Sequence, residues 1–163
     1  MKRVFAENYG PGQESFEWNG RTVEMALELS LEKSAVIQAR VLKCKRWFLP
    51  QQGLGVSMRE GKYTDRGRHL AGGYYMYDHE PWAVLICVPV KDKPREILLY
   101  NVWDSPGGNV DYWIGDSEII IDKVSEAPET YILNCACGLG KQKFDELIVE
   151  VKVLPPGDGL PNC

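Results

Sequence analysis

Aromatic and polar side chains are concentrated between residues 103 and 113 in a combination that suits the binding of sugars. The candidate residues in this stretch are Trp103, Asp104, Asn109, Asp111, Tyr112 and Trp113. Aromatic rings stack on the apolar faces of sugar rings, whereas carboxylates and amides bind hydroxyl groups. The stretch therefore predicts a site for a carbohydrate or another polyhydroxylated ligand. The alternative is that the rings pack one end of the fold while the acids solvate a turn.

His79, which is followed by Glu80, is the clearest candidate for acid–base chemistry. An imidazole titrates near neutral pH, and a neighbouring carboxylate could orient it. No serine or cysteine lies in a motif that such a base would activate. We therefore predict no catalytic residue and no cofactor, and we assign His79 to the ligand-binding set. A small β-barrel enzyme with a His79/Glu80 pair stays open as an alternative.

Two groups of residues have the side-chain types of metal ligands, but neither has the spacing of a metal motif. Asp104, Asp111 and Asp116 could supply oxygen atoms to Ca²⁺, yet they do not match the EF-hand loop. Cys135 and Cys137 could supply two thiolates to zinc, but no second close pair accompanies them. We therefore predict no metal site.

Positive charge is concentrated between residues 37 and 68, although the whole chain has a net charge of −4. The segment holds eight basic residues, Arg40, Lys43, Lys45, Arg46, Arg59, Lys62, Arg66 and Arg68. Such a surface could attract an acidic protein partner, as in an interaction module of the inhibitor or immunity type. The alternative is a solvated face balanced by nearby acids. The acidic total argues against nucleic acid as the main ligand.

The composition predicts a soluble protein that does not enter a membrane. No run of about eighteen apolar residues occurs, and none follows the basic N-terminal residues. Five irregularly spaced cysteines argue against a disulfide framework and favour a reducing compartment. We therefore predict a cytoplasmic location, while a secreted mature form that has lost its signal stays open.

Apolar residues at every second position predict that β-strands carry these side chains. The dipeptide Asn19-Gly20 predicts a type I′ hairpin that places Phe16 opposite Val23. Residues 22–46 contain many good helix formers, so a helix competes there. Their period of two favours strands instead, and we expect the two alternating runs in this range to pair with each other.

The spacing of turn signals along the chain predicts an all-β fold. About nine or ten short strands, with turns every eight to twelve residues or so, are typical of an antiparallel β-sandwich, with a closed β-barrel as the alternative. Residues 59–73 have no periodicity and predict an exposed loop. One domain should span residues 1–154, followed by a flexible tail at 155–163.

Three consecutive strands are predicted at 74–78, 82–90 and 96–103, and we expect them to form a meander. The second is apolar at every position, as in a strand that is covered on both faces in the centre of a sheet. In a meander, the turn at 78–81 and the loop at 104–117 lie at the same end of the sheet. This arrangement would bring His79 to the predicted ligand site.

The run from Trp82 to Ile114 resembles the C-terminal half of starch-binding-type carbohydrate-binding modules, which are immunoglobulin-like β-sandwiches. In that family an apolar strand, a charged hairpin, a second strand and a W-D-x-x-G-G-x-(N/D)-(Y/W) loop follow one another. Here the loop begins at Trp103 and has one residue more before Asp111 and Tyr112. That difference leaves open whether these two residues take the family's places. The resemblance implies a non-catalytic module that binds α-glucan-like chains.

Overall fold

The structure is a computed structural model, and its regular elements are β-strands throughout the described residues. It describes residues 8–9, 11–45, 52–58, 62–65, 68–70, 74–77, 82–88, 95–104, 110–111, 118–136 and 143–155. At positions 58, 62–65, 68–70, 74–77, 82–88, 95, 104 and 110–111 the description covers the backbone alone. Its fourteen strands are β1 (Ser15–Trp18), β2 (Arg21–Glu24), β3 (Leu27–Leu31), β4 (Ala35–Cys44), β5 (Gln52–Met58), β6 (Lys62–Asp65), β7 (Arg68–Leu70), β8 (Tyr74–Tyr77), β9 (Trp82–Val88), β10 (Arg95–Asp104), β11 (Val110–Asp111), β12 (Ile119–Glu126), β13 (Glu129–Cys135) and β14 (Leu147–Leu154).

These strands form two antiparallel sheets, which confirms the predicted β-sandwich. The large sheet has nine strands in the order β1-β2-β12-β13-β14-β4-β9-β6-β7. The small sheet has the order β11-β10-β5-β8. Strand β3 also belongs to it and pairs with residues 95–99 of β10, whereas β11 pairs with residues 103–104 of the same strand. Both sheets end in edge strands within the described residues, so the arrangement is an open sandwich and not the alternative closed barrel.

The core lies between the two sheets, because alternate residues of the strands on both sides are apolar and buried. Its members from the large sheet include Ile37, Ala39, Ile119, Leu133, Leu147, Val149 and Val151. Those from the small sheet include Leu27, Leu29, Leu31, Leu54, Val56, Ile97 and Leu99. Burial of one such aliphatic side chain contributes about 1.5 to 3 kcal/mol, so this layer is the main force that holds the sheets together.

The first hairpin forms as its sequence predicts. Strand β1 pairs with β2 so that Phe16 lies opposite Val23. At the turn, Asn19 has a φ of 50° and Gly20 a φ of 75°. A type I′ turn needs positive φ at both central residues, and asparagine and glycine tolerate that conformation best.

The described residues of the range 22–46 form strands and no helix, as the alternation favoured, but β3 and β4 do not pair with each other. Strand β2 belongs to the large sheet and β3 to the small sheet, so the chain changes sheets at residues 25–26. Strand β3 pairs with β10, whereas β4 pairs with β14 and β9. The predicted pairing was therefore wrong, because a period of two reports which residues face inward and not which sheet the strand joins.

The predicted meander is also wrong. Strand β8 pairs with β5 in the small sheet, β9 pairs with β4 and β6 in the large sheet, and β10 returns to the small sheet. The chain therefore crosses between the sheets before and after β9. Consecutive strands in a sandwich often lie in opposite sheets, and their sequences do not record the crossing.

The predicted loop at 59–73 contains two strands, β6 and β7, that extend the edge of the large sheet. The prediction failed there because short edge strands need no regular apolar alternation. The predicted tail at 155–163 lies outside the described residues, apart from Pro155. None of the described residues form a helix with the length and apolarity needed to span a membrane.

Gly55 leaves room on β5 for the ring of Tyr100, and its replacement tests this packing. Gly55 pairs with Tyr100, and a Cβ atom at position 55 would overlap the tyrosine ring. We expect Gly55→Ala to lower the free energy of unfolding by about 1 to 3 kcal/mol, the usual cost of overpacking. Urea unfolding measures the loss. In a Tyr100→Ala background the same change should cost little, and an equal loss in both backgrounds would contradict the assignment.

Candidate functional site

Four strand ends lie side by side at one end of the small sheet, which we call the rim. Strands β8 and β10 are both antiparallel to β5, so they run in the same direction on its two sides. Their last residues therefore lie beside the first residues of β5: Tyr77 pairs with Gly53, and Trp103 pairs with Gln52. Strand β11 lies on the other side of β10, where Asp111 pairs with Trp103. At the usual strand spacing the rim is roughly 14 Å wide.

The rim unites several of the residues that the sequence proposed as a site. Trp103, Asp104 and Asp111 all lie there, with Asp104 paired to Val110. Tyr77 and Asp104, the last described residues before segments 78–81 and 105–109, both lie at this end, whereas the two segments lie outside the described residues. The cause is not a meander but the shared neighbour β5. The other proposed site residues, His79, Asn109, Tyr112 and Trp113, lie outside the described residues.

The side chain of Trp103 lies inside the rim. Only 5% of its surface is exposed. Every second residue of β10 points toward the large sheet, namely residues 97, 99, 101 and 103. Ile97 and Leu99 of this set belong to the core. The Trp103 ring therefore packs inside the end of the fold, which was the alternative to ligand binding, and it is not exposed for stacking on a sugar ring.

Two further polar side chains, Gln52 and Asn101, are buried on the same face as Trp103. Gln52 is 4% exposed and Asn101 is 1% exposed. The Asn101 Nδ2 donates a hydrogen bond of 2.8 Å to the backbone oxygen of Ala136. The Gln52 Nε2 donates one of 3.4 Å to the backbone oxygen of Lys45. Since Ala136 follows β13 and Lys45 follows β4, these bonds join the two sheets at the rim.

Each of these three side chains also has a polar atom without a hydrogen-bond partner in the described part of the chain. The atoms are Gln52 Oε1, Asn101 Oδ1 and Trp103 Nε1. A buried polar atom left without a partner costs about 1 to 3 kcal/mol. The interior of the rim thus presents two hydrogen-bond acceptors and one donor. Sequence reasoning missed Gln52 and Asn101, although polar residues at apolar positions of alternating strands were the available signal.

A buried carboxylate marks the neighbouring part of the large sheet. Glu118, directly before β12, is 1% exposed, and its Oε1 accepts a hydrogen bond of 3.5 Å from the Tyr9 hydroxyl. Burial and the charge of Glu118 both raise the pKa of Tyr9, so the hydroxyl keeps its proton. Tyr9 also packs edge-on against Phe16, at 4.9 Å between ring centroids. These contacts hold Glu118, the residue directly before β12, in place.

The described residues provide little chemistry for catalysis or metal binding. They contain no group of three or more histidine, cysteine, aspartate or glutamate residues that could hold a metal ion. Cys135 is a buried thiol that forms no disulfide. Burial raises the pKa of the Cys135 thiol, which keeps it protonated and unreactive. His79, Glu80 and Cys137 lie outside the described residues, so the acid–base alternative stays a prediction.

Two residues of the basic segment are bound to an acid of the same chain. Lys43 lies 3.2 Å from the Asp145 carboxylate, and Lys45 forms a second ion pair with it. Arg40 is exposed on β4. Side chains of the other five basic residues are not among those described. These ion pairs agree with the alternative in which the basic residues form a solvated face balanced by nearby acids.

Comparison of the chain with known protein families, with characterised proteins and with solved structures found no match. The resemblance to carbohydrate-binding modules therefore stays a prediction.

The Asp145 ion pairs make a small contribution to stability that depends on pH. Hydrogen bonds from Lys45 and Lys43 lower the pKa of the Asp145 carboxyl. A depressed pKa stabilises the fold above the ordinary carboxyl pKa of about 4, and this contribution is lost as the pH falls through the folded-state value. We expect Asp145→Asn to lower the free energy of unfolding at pH 7 by at most about 1 kcal/mol, because the pairs are partly exposed.

Urea unfolding at pH 7 and in acid tests this expectation, because protonation of Asp145 leaves both proteins with a neutral side chain at position 145. The difference between the variant and the wild type should shrink as the pH falls through the folded-state pKa of Asp145. Glu32→Gln, which removes one exposed carboxylate from a turn, serves as the control and should change little. A difference for Asp145→Asn that persists in acid would show that the effect does not come from the ion pairs.

Proposed function

We propose that the protein is a binding domain without catalytic activity of its own, whose ligand is a carbohydrate or another polyhydroxylated molecule. The observation that carries the proposal is the alignment of four strand ends at the rim. The backbone register brings Asp111 beside Trp103 on one side, and the first residue of β5, Gln52, beside Trp103 on the other. Polar residues from two segments of the chain therefore meet over a short distance.

The chemistry of the residues at the rim supports a ligand rich in hydroxyl groups. Carboxylates such as those of Asp104 and Asp111 accept hydrogen bonds from hydroxyls, and amides both donate and accept them. The buried amide of Asn101 lies in the same strand as Asp104, and the buried amide of Gln52 lies in the neighbouring strand, opposite Trp103. A rigid strand is also a better support for a site than a free loop, because its side chains hold their positions.

The burial of Trp103 assigns the stacking role to other rings. Tyr112 and Trp113 follow Asp111 directly in the chain. In the proposed mode of binding they supply the apolar faces on which sugar rings stack, while Trp103 supports the rim from within. The proposed site thus keeps all the residues that the sequence predicted, but Trp103 supports the site and does not stack on the ligand.

Binding to a panel of neutral oligosaccharides, including maltoheptaose, xylohexaose and cellohexaose, tests the proposal. Affinity electrophoresis and isothermal titration calorimetry should detect binding to at least one of them. We expect Trp113→Ala to weaken it about tenfold or more, which corresponds to roughly 1.4 kcal/mol for a lost stacking contact. Asp111→Ala should also weaken it.

Trp18→Ala is the matched control, because it removes an indole from β1, an edge strand of the large sheet that does not belong to the rim. That variant should bind the oligosaccharide as the wild type does. The proposal fails if no oligosaccharide of the panel binds, or if Trp113→Ala binds as tightly as the wild type.

A further inference from the structure

We infer that two copies of the chain associate face to face through the large sheet. The surface concerned is the side of β12, β13, β14 and β4 that points away from the small sheet, which we call the outer face. The inference goes beyond the proposed function and does not depend on the proposed ligand, because none of its residues belongs to the rim.

The two large apolar side chains that are exposed among the described residues both belong to strands of this surface. Leu42 is 46% exposed and Val124 is 57% exposed. Each is the extra residue of a β-bulge, Leu42 where β4 pairs with β14 and Val124 where β12 pairs with β13. At a bulge two residues of one strand oppose a single residue of the other. Leu42 therefore lies opposite Ile148. In the same way Val124 lies opposite Thr130.

Ile132 and Ile148 connect the two bulge residues into a diagonal apolar stripe. Each isoleucine is partly exposed and lies between two residues that face the core, so it points to the outer face. Ile132 lies two residues from Thr130 on β13, and its partner on β14 lies two residues from Ile148. The stripe thus has one member on each of four neighbouring strands and is about 15 Å wide. Its members in strand order are Val124, Ile132, Ile148 and Leu42.

The order of charges on the outer face suits a second copy of the same surface. One row of cross-strand partners runs Asp122, Ile132, Glu150, Arg40. It begins with an acid on β12 whose side chain is 44% exposed, and it ends with an exposed base on β4. A two-fold axis parallel to the strands reverses the strand order in the second copy. Asp122 of each copy then lies opposite Arg40 of the other, and the two stripes cross near Ile132 and Ile148.

The stripe supplies the attraction, whereas the charges select the orientation. Within one copy Asp122 is bound to Arg21, and the Lys152 Nζ lies 3.2 Å from the Glu150 carboxylate. Partly exposed ion pairs contribute at most about 1 kcal/mol, but their arrangement disfavours other orientations. A face four strands wide covers less than the roughly 800 Å² that each partner buries in a standard interface. The dimer is therefore weak and forms at high protein concentration.

Sedimentation velocity at protein concentrations from about 10 μM to 1 mM, the range of a weak interface, tests the association. The mean sedimentation coefficient of the wild type should rise with concentration. Leu42→Ser should raise the dimer Kd about tenfold or more, because both copies lose an apolar contact. Leu98→Ser is the matched control, since it removes a partly exposed leucine from β10 of the other sheet, and it should leave the Kd unchanged.

An exchange of charges tests the orientation of the two copies. Arg40→Glu and Asp122→Arg should each weaken the dimer, because each variant places like charges opposite one another at both symmetric contacts. An equimolar mixture of the two variants should associate more strongly than either alone, since every contact then joins opposite charges. Mixing would not repair damage that a variant causes inside its own fold.

Methyl resonances of the wild type provide a readout that needs no folded variant. Those of Leu42 and Val124 should shift as the concentration rises, whereas those of Leu98 should stay in place. A monomer at every concentration would overturn the inference and leave the outer face to solvent or to a different protein. Association that Leu42→Ser does not weaken, or a mixture no stronger than its components, would also overturn it. The oligosaccharide titrations test the proposed function separately, so either proposal can fail while the other stands.

Discussion

The positions of the core residues and of the rim depend on the pairing of β10 within the small sheet. The strand is held by β3 and β11 on one side and by β5 on the other. Because successive side chains of a strand point to opposite faces, this pairing determines which residues enter the core. Ile97 and Leu99 enter it near the middle of the sandwich, and Asn101 and Trp103 follow on the same face toward the rim. A shift of one residue would exchange the two faces.

Polar groups take the place of apolar ones where the core reaches the rim. Hydrogen bonds of Asn101 and Gln52 with the opposite sheet continue the contact that leucine and isoleucine make deeper in the sandwich. Such bonds contribute modestly to stability, about 1 kcal/mol each, and they are directional, whereas apolar contacts are not. They therefore set the relative position of the two sheets at the end where the proposed ligand binds. The same residues retain polar atoms that the described part of the fold does not use.

The ionisable groups with described partners serve the fold. Asp145 binds two lysines, Glu118 accepts a hydrogen bond from Tyr9, and the Cys135 thiol is kept protonated by burial. A catalytic group needs a pKa near the working pH and access to a substrate. These groups lack one or both properties, so their described contacts act in the fold.

The sequence by itself determined the class of the fold, the first hairpin and the inward residues of most strands. These features depend on local physics: Asn19-Gly20 accepts positive φ, and a period of two matches the pleat of a strand. The sequence also placed Trp103, Asp104 and Asp111 in one predicted site, because they are close along the chain. Only the tertiary structure decided the partners of each strand, because β8, β9 and β10 are consecutive yet lie in alternate sheets. It alone revealed Gln52 beside Trp103, since strand pairing brings together residues that are distant in sequence, and no local pattern encodes that contact.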